Sequence, residues 1–182
     1  MRERSFRHER YLEPKEALRH LLRNSSFVRQ PAIVVHRSGF EGGLFDKSVG
    51  ESVDTEMWVR LFSRYGVSCL PHTTCAYTIH EGAITDGMWN PGTIRSVQEI
   101  FDRAVALQLV AEPTIRRWQA DWLHQFILAG AYRRLRVRRR AEGREVLRLF
   151  QLPEVRRLGV SPKWLPVRAA FLAATAGARR RS

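Results

Sequence analysis

Asp54 and His80 are the side chains best suited by type and surroundings to move a proton or hold an ion. Asp54 begins an amphipathic stretch and follows a segment containing Gly39, Gly42 and Gly43. A carboxylate at such a helix start can be held toward a cleft, where it can take a proton from a hydroxyl. The alternative is that Asp54 only answers the partial positive charge of a helix N-terminus. His80 ends a short apolar run, and a histidine there is either bonded to a loop or a ligand. Asp54 and Glu56 have the spacing of a metal-binding acid pair, but they begin a helix rather than end a strand, so that reading is rejected. His8, His20, His36, His72 and His124 form no recognisable ligand or triad set. No glycine-rich phosphate loop of the Walker type is present.

The elements that must position Asp54 are readable from periodicity. Trp58, Leu61, Phe62 and Tyr65 fall at i, i+3, i+4 and i+7, which puts them on one stripe of a helix. Their apolar bulk reads as core, not as a sugar platform. Ser52 is the expected N-cap, Asp54 and Glu56 lie in the first turn, and Gly66 is the expected stop. Glu56 stands four residues before Arg60, which predicts a surface pair. Residues 67–70 and 75–80 read as strands around a turn, and Ala32, Ile33, Val34 and Val35 read as a buried strand that starts a sheet. A helix is expected from Pro14 through Leu18, Leu21 and Leu22. Residues 81–92 read as a polar, glycine-rich loop able to move, with Met88 and Trp89 embedded in it. Thr93 is expected to cap a helix carrying Ile94, Val97, Phe101, Ala104 and Val105. A longer helix carries Ile115, Trp118, Trp122 and Phe126 past Gly130 into an arginine run, and further helices are expected over 142–150 and 165–176.

Taken in order, Gly42, Gly43, Phe45 and Asp46, then Asp54, Trp58, Arg60, Leu61 and Gly66, then Tyr77 and His80 resemble the acceptor half of family-2 glycosyltransferases of the GT-A fold. Members of that family carry a Gly-Gly-Phe-Asp turn, a Glu-Asp pair, a Trp-x-Arg-Leu helix and a Tyr-Arg-x-His strand. Here Leu44 separates the glycines from Phe45, Val53 replaces the acid before Asp54, and Thr78 replaces the arginine. The resemblance covers residues 15–110. It implies an α/β fold, a partial GT-A (Rossmann-like) sheet with flanking helices, followed by a mainly helical basic C-terminal region. It also implies inverting transfer of a sugar from a nucleotide-sugar to a hydroxyl of a glycan or lipid-linked acceptor, with Asp54 as general base. Gly42, Gly43 and Glu56 would border the acceptor, although Glu56 also suits the surface pair. His80 would help hold a divalent metal, Mg or Mn, expected in the complete enzyme. The donor-binding half with its Asp-x-Asp motif is not found, so a partner chain supplying it, a truncated product or a degenerate relative are the expectations.

Charge divides the chain into an acceptor-side segment, 1–110, and a basic extension, 111–182. Residues 111–182 hold 17 Lys/Arg against 5 Asp/Glu, a balance of +12 out of a total of +13. Arg133, Arg134, Arg136, Arg138, Arg139 and Arg140 concentrate it, and an anionic membrane surface is the preferred partner. Nucleic acid is the competing partner, disfavoured because the aromatics lie on apolar stripes instead of between the arginines. If the chain is not an enzyme fragment, a non-catalytic basic interaction module is the second reading. Cys69 and Cys75 read as reduced core residues. The charged residues 1–10 do not resemble a signal peptide, so a cytoplasmic location with peripheral contact at the inner membrane face is expected.

Overall fold

The computed structural model describes residues 6–24, 27–28, 32–72, 75–76, 87–160 and 162–176. In chain order these form strand β1 (Arg10–Leu12), helix α1 (Pro14–Arg23), helix α2 (Val53–Tyr65) and strand β2 (Val67–Cys69). Helices α3 (Pro91–Ala106), α4 (Glu112–Arg136), α5 (Arg140–Arg148), α6 (Pro153–Arg156) and α7 (Leu165–Thr175) follow. Two 3₁₀ segments, Arg37–Gly42 and Lys47–Ser52, lead into α2.

Each helix follows from its local sequence. Pro14 presets the first turn of α1, and Ala17, Leu18, Leu21 and Leu22 make its buried face. Helix α2 buries Trp58, Leu61 and Phe62 as their spacing predicts, but Tyr65 is 41% exposed. Gly66 ends it with its N–H donating to the Phe62 carbonyl at 3.0 Å. Ser52 occupies the N-cap position without a capping side-chain bond. In α3 the cap is Asn90, whose Oδ1 accepts the Thr93 N–H at 3.0 Å, so Thr93 lies inside the helix and not at its cap. Helix α4 buries residues around much of its circumference, including Ile115, Leu123, His124, Ile127 and Ala131. It is the axis on which α1, α3, α5 and α7 pack. One hydrophobic cluster runs from Leu12 and Leu18 through Met57, Ile94 and Phe101 to Ile127 and Phe150, and so crosses residue 110. Burying one such large side chain contributes roughly 1.5–3 kcal/mol.

The expected partial Rossmann-like sheet is not formed. The described residues are mostly helical and contain one two-stranded antiparallel ribbon, with Arg10 opposite Cys69, Tyr11 opposite Ser68 and Leu12 opposite Val67. β2 thus finds a partner upstream, in β1; Cys75 and Ala76 are not strand, and 77–80 lie outside the described residues. The run Ala32 to Val35 is also not a strand, and Val34 is 98% exposed. The physical reason is competition for apolar faces. α2 packs on α1 and α3, and α3 packs on α4, so these helices bury on one another the faces that a sheet would need.

Within the segment read as a loop, Trp89 is held by α4, while residues 81–86 lie outside the described residues. Its Nε1 donates to the Phe126 carbonyl at 3.0 Å, and its ring stacks on Phe126 at 5.9 Å between centroids. Gly130 makes room, because a Cβ there would overlap the indole. Replacing Gly130 by Ala is therefore expected to destabilise the protein by about 1–3 kcal/mol through overpacking. In a Trp89→Ala background the same change should become neutral or stabilising by up to about 1 kcal/mol, the helix-propensity gain. Urea unfolding of the four proteins in the cycle checks this, and an unchanged penalty in the double variant would remove the packing explanation.

Candidate functional site

Residues 42–46 are held against α2 by one buried carboxylate and two arginines. Glu56 is only 2% exposed. Arg60, one turn along α2, donates from Nε to Glu56 Oε1 at 2.8 Å and Oε2 at 3.0 Å. Its terminal nitrogens reach the glycine segment: Nη1 donates to the carbonyls of Gly42 at 3.1 Å and Gly43 at 3.3 Å, and Nη2 to that of Leu44 at 2.6 Å. Gly43 has φ of 100°, a conformation that side chains other than glycine rarely adopt, and this lets the three carbonyls turn toward one guanidinium.

Arg103 of α3 closes the network from the other side. Its Nη1 donates to Asp46 Oδ2 at 2.7 Å and Glu56 Oε1 at 3.2 Å, and its Nη2 to Glu99 Oε1 at 2.6 Å. The Ser48 hydroxyl and then Arg103, followed by the Ser48 amide, hold the Asp46 carboxyl well below the usual carboxylate range. The same bonds to Asp46 and Glu99 raise Arg103 above its ordinary value.

Asp54 sits at the start of the helix that this network braces. Its Oδ1 accepts the Thr55 N–H at 2.7 Å and the Thr55 hydroxyl at 3.3 Å, while Oδ2 has no partner among the described residues. One oxygen is oriented and the other is free, which is the arrangement a proton acceptor needs. Asp54 borders neither the groove of about 460 Å³ at His36, Arg37, Ser38, Phe40 and Glu41 nor the cavity of about 640 Å³ beside His124.

The remaining sequence candidates divide. Gly42 and Gly43 lie where expected, beside α2, but their carbonyls are taken by Arg60. Glu56 pairs with Arg60 as its spacing predicts, but buried and not at the surface, with its carboxylate between the guanidiniums of Arg60 and Arg103. His80 lies outside the described residues. Among the described residues no three His, Cys, Asp or Glu side chains are grouped to hold a metal ion. Arg133, Arg136, Arg138, Arg139 and Arg140 are exposed at the end of α4 and the turn into α5. Arg134 is not: it is 13% exposed, pairs with Glu142 at 3.4 Å and lies 5.5 Å from the Trp89 ring centre. No helix of the described residues is long and apolar enough to cross a membrane.

Two functional groups are not flagged by sequence. Arg103 carries only an i, i+4 partner, Glu99, as its local signal, and nothing in its neighbourhood announces Asp46. His124 has a signal, its position among Trp122, Leu123, Phe126 and Ile127, where a polar ring must be buried. Comparison with family models, with curated proteins and with solved structures finds no match.

The depressed Asp46 carboxyl has a pH consequence. A group with a lowered folded-state pKa contributes stability above its unfolded value, about 4, and loses it as pH falls through the folded value. The stability difference between the protein and Asp46→Asn should therefore be full at neutral pH and shrink progressively below about pH 4. Urea unfolding at stepped pH measures it, and a difference that stays constant into strong acid would show that the bonds to Asp46 from Ser48 and Arg103 carry no stability.

Proposed function

We propose that this chain acts as the acceptor-side part of an inverting, family-2-like sugar transferase, with Asp54 as the general base. The observation that supports this most is the state of the Asp54 carboxylate, with Oδ1 held by Thr55 and Oδ2 without a partner among the described residues. The turn bearing it is braced through Glu56 and Arg60 to the glycine segment. In the reaction, Oδ2 takes the proton of an acceptor hydroxyl as that oxygen attacks the anomeric carbon. The bond from that carbon to the nucleoside diphosphate breaks, and its electron pair leaves with the phosphate. Donor binding and charge stabilisation of the leaving group belong to a separate donor-binding half, and no described residue is assigned to them. The acceptor class is a hydroxyl-bearing glycan or a lipid-linked glycan.

The isolated chain is expected to transfer no sugar from nucleotide donors. Supplied with a donor-binding half from a family-2 glycosyltransferase, it should gain transfer, and Asp54→Asn should lower that rate by about 10²–10⁴-fold, the usual contribution of a positioned base. The variant should retain the thermal midpoint of the parent. Transfer that survives Asp54→Asn undiminished would overturn the assignment.

A second reading, a basic module at an anionic membrane surface, is favoured by the turn between α4 and α5. Arg138 adopts φ of 61°, its N–H donates to the Leu135 carbonyl at 3.0 Å, and the Arg139 N–H donates to that of Arg134 at 2.8 Å. This is a Schellman-type end with arginine where glycine is usual. It places Arg136 and Arg138 at the C-terminus of α4, where the dipole favours cations, and brings Arg139 and Arg140 beside them at the start of α5. Flotation with phosphatidylglycerol vesicles should show binding that weakens with salt and falls by about 1 kcal/mol for each arginine changed to Gln. Retention of full binding by the fourfold variant would exclude this surface.

A further inference from the structure

The cavity between α4, α6 and α7 has chemistry that the glycine-segment site lacks. Its volume is about 640 Å³, within the range of small-molecule sites. Its polar lining is His124, Gln151, Arg156 and Arg168, with no carboxylate among them, and its apolar wall is Phe150, Val155 and Val160. The Arg168 guanidinium lies over the Phe150 ring at 4.4 Å, and the His124 ring is 5.0 Å from the same ring, so Phe150 sets both groups around one space.

His124 is the second observation. It is 1% exposed, its Nδ1 bonds to the Ala120 carbonyl at 2.7 Å, and its Nε2 is buried with no partner among the described residues. With the Nδ1 proton donated to Ala120, Nε2 of the neutral ring carries a lone pair that requires a donor. Burial first, with Arg168 and Lys163 in the same direction, pushes His124 below its ordinary value against the Ala120 bond and Asp121. Asp121 is itself occupied by Lys163 at 2.7 Å and Trp164 Nε1 at 3.0 Å. It therefore has its cation already and does not compete for the arginines.

We propose that this cavity binds the phosphoryl group of a phosphate monoester, with Arg156 and Arg168 taking its charge and His124 Nε2 sharing its hydroxyl proton. A phosphate monoester loses its second proton near pH 6, so the singly protonated form that can donate to Nε2 is accessible near neutrality. Guanidiniums suit the anion because they present several donors in one plane. Phe150, Val155 and Val160 take the organic part of the ester.

The test titrates the full chain with inorganic phosphate and with phenyl phosphate, observed by ³¹P NMR. Saturable binding is expected, weakened at least about tenfold by Arg156→Gln and by Arg168→Gln and unchanged by Arg95→Gln at an exposed position of α3. Arg156 is exposed, so its variant keeps the test valid if Arg168→Gln disturbs the packing on Phe150. A parallel arm uses phosphatidylcholine vesicles containing roughly 10% phosphatidic acid. Arg156-dependent flotation would assign the phosphoryl group to a lipid headgroup, and its absence alongside phosphate binding would assign it to a soluble ester. No saturable binding of any probe, or equal weakening in all three variants, would overturn the proposal.

Discussion

A carboxylate taken out of water must be paired, and the pairing of Glu56 sets the geometry of the first half of this protein. At 2% exposure it cannot be solvated, and removing a partner from a buried ion pair typically costs about 3–5 kcal/mol. Arg60 and Arg103 meet that demand from two helices, and each spends its remaining donors on a different segment. Arg60 gathers the carbonyls of Gly42, Gly43 and Leu44. Arg103 gathers Asp46, Ser48 and Glu99. Such a network adds little net stability over an apolar core of the same volume. What it adds is register: residues 42–48 have one place against α2 and α3, and the first turn of α2, with Asp54, is fixed with them.

Helix α4 plays the corresponding part for the second half, by burial instead of charge. Its N-terminal end is tied to α3 through Arg116, which donates to Asp102 at 2.6 Å and to the buried Gln119 at 3.1 Å. Further along, Asp121 ties it to Lys163 and Trp164 just before α7. The apolar residues of α4 pack against α1, α3, α5 and α7. His124 is a buried polar residue of this helix: its Nδ1 bonds to the Ala120 carbonyl, its Nε2 has no partner among the described residues, and the residue lines the arginine-bearing cavity.

The sequence made most helices legible and misjudged what they pack against. Leu18 and Leu22, Trp58 and Phe62, Ile94 and Phe101, Ile115 and Trp122 all lie on the faces their 3.6-residue spacing predicts. The run at 32–35 misleads because four apolar residues cannot separate a buried strand from a loop leaning on a core. Ile33 and Val35 lean inward while Val34 faces water, an alternation without a ladder. Glu56 is misread for a related reason. Its i, i+4 spacing to Arg60 is real, but spacing along one helix says nothing of Arg103 arriving from another. Asp54 is legible as a helix-start carboxylate, and its free Oδ2 is not, since that depends on which local donor its partner oxygen finds.

Net charge is the feature that sequence reports most clearly and explains least. The excess of Lys/Arg in residues 111–182 is not one patch with one purpose. Arg133 and Arg134 lie over Trp89, Arg116 joins α3 to α4, and Arg168 lies over Phe150, so a share of the charge is spent inside the fold. Arg136, Arg138, Arg139 and Arg140 remain in water at a helix end, where the field they create is long-ranged, salt-sensitive and indifferent to the shape of an anion. Arg156 and Arg168 instead border a partly apolar cavity, where the same charge acts at short range and a neighbouring imidazole can tell a protonated oxygen from a bare one. A positive balance of this size therefore separates into structural, attractive and selective portions, and only the position of each guanidinium against its aromatic or acidic neighbour decides to which portion it belongs.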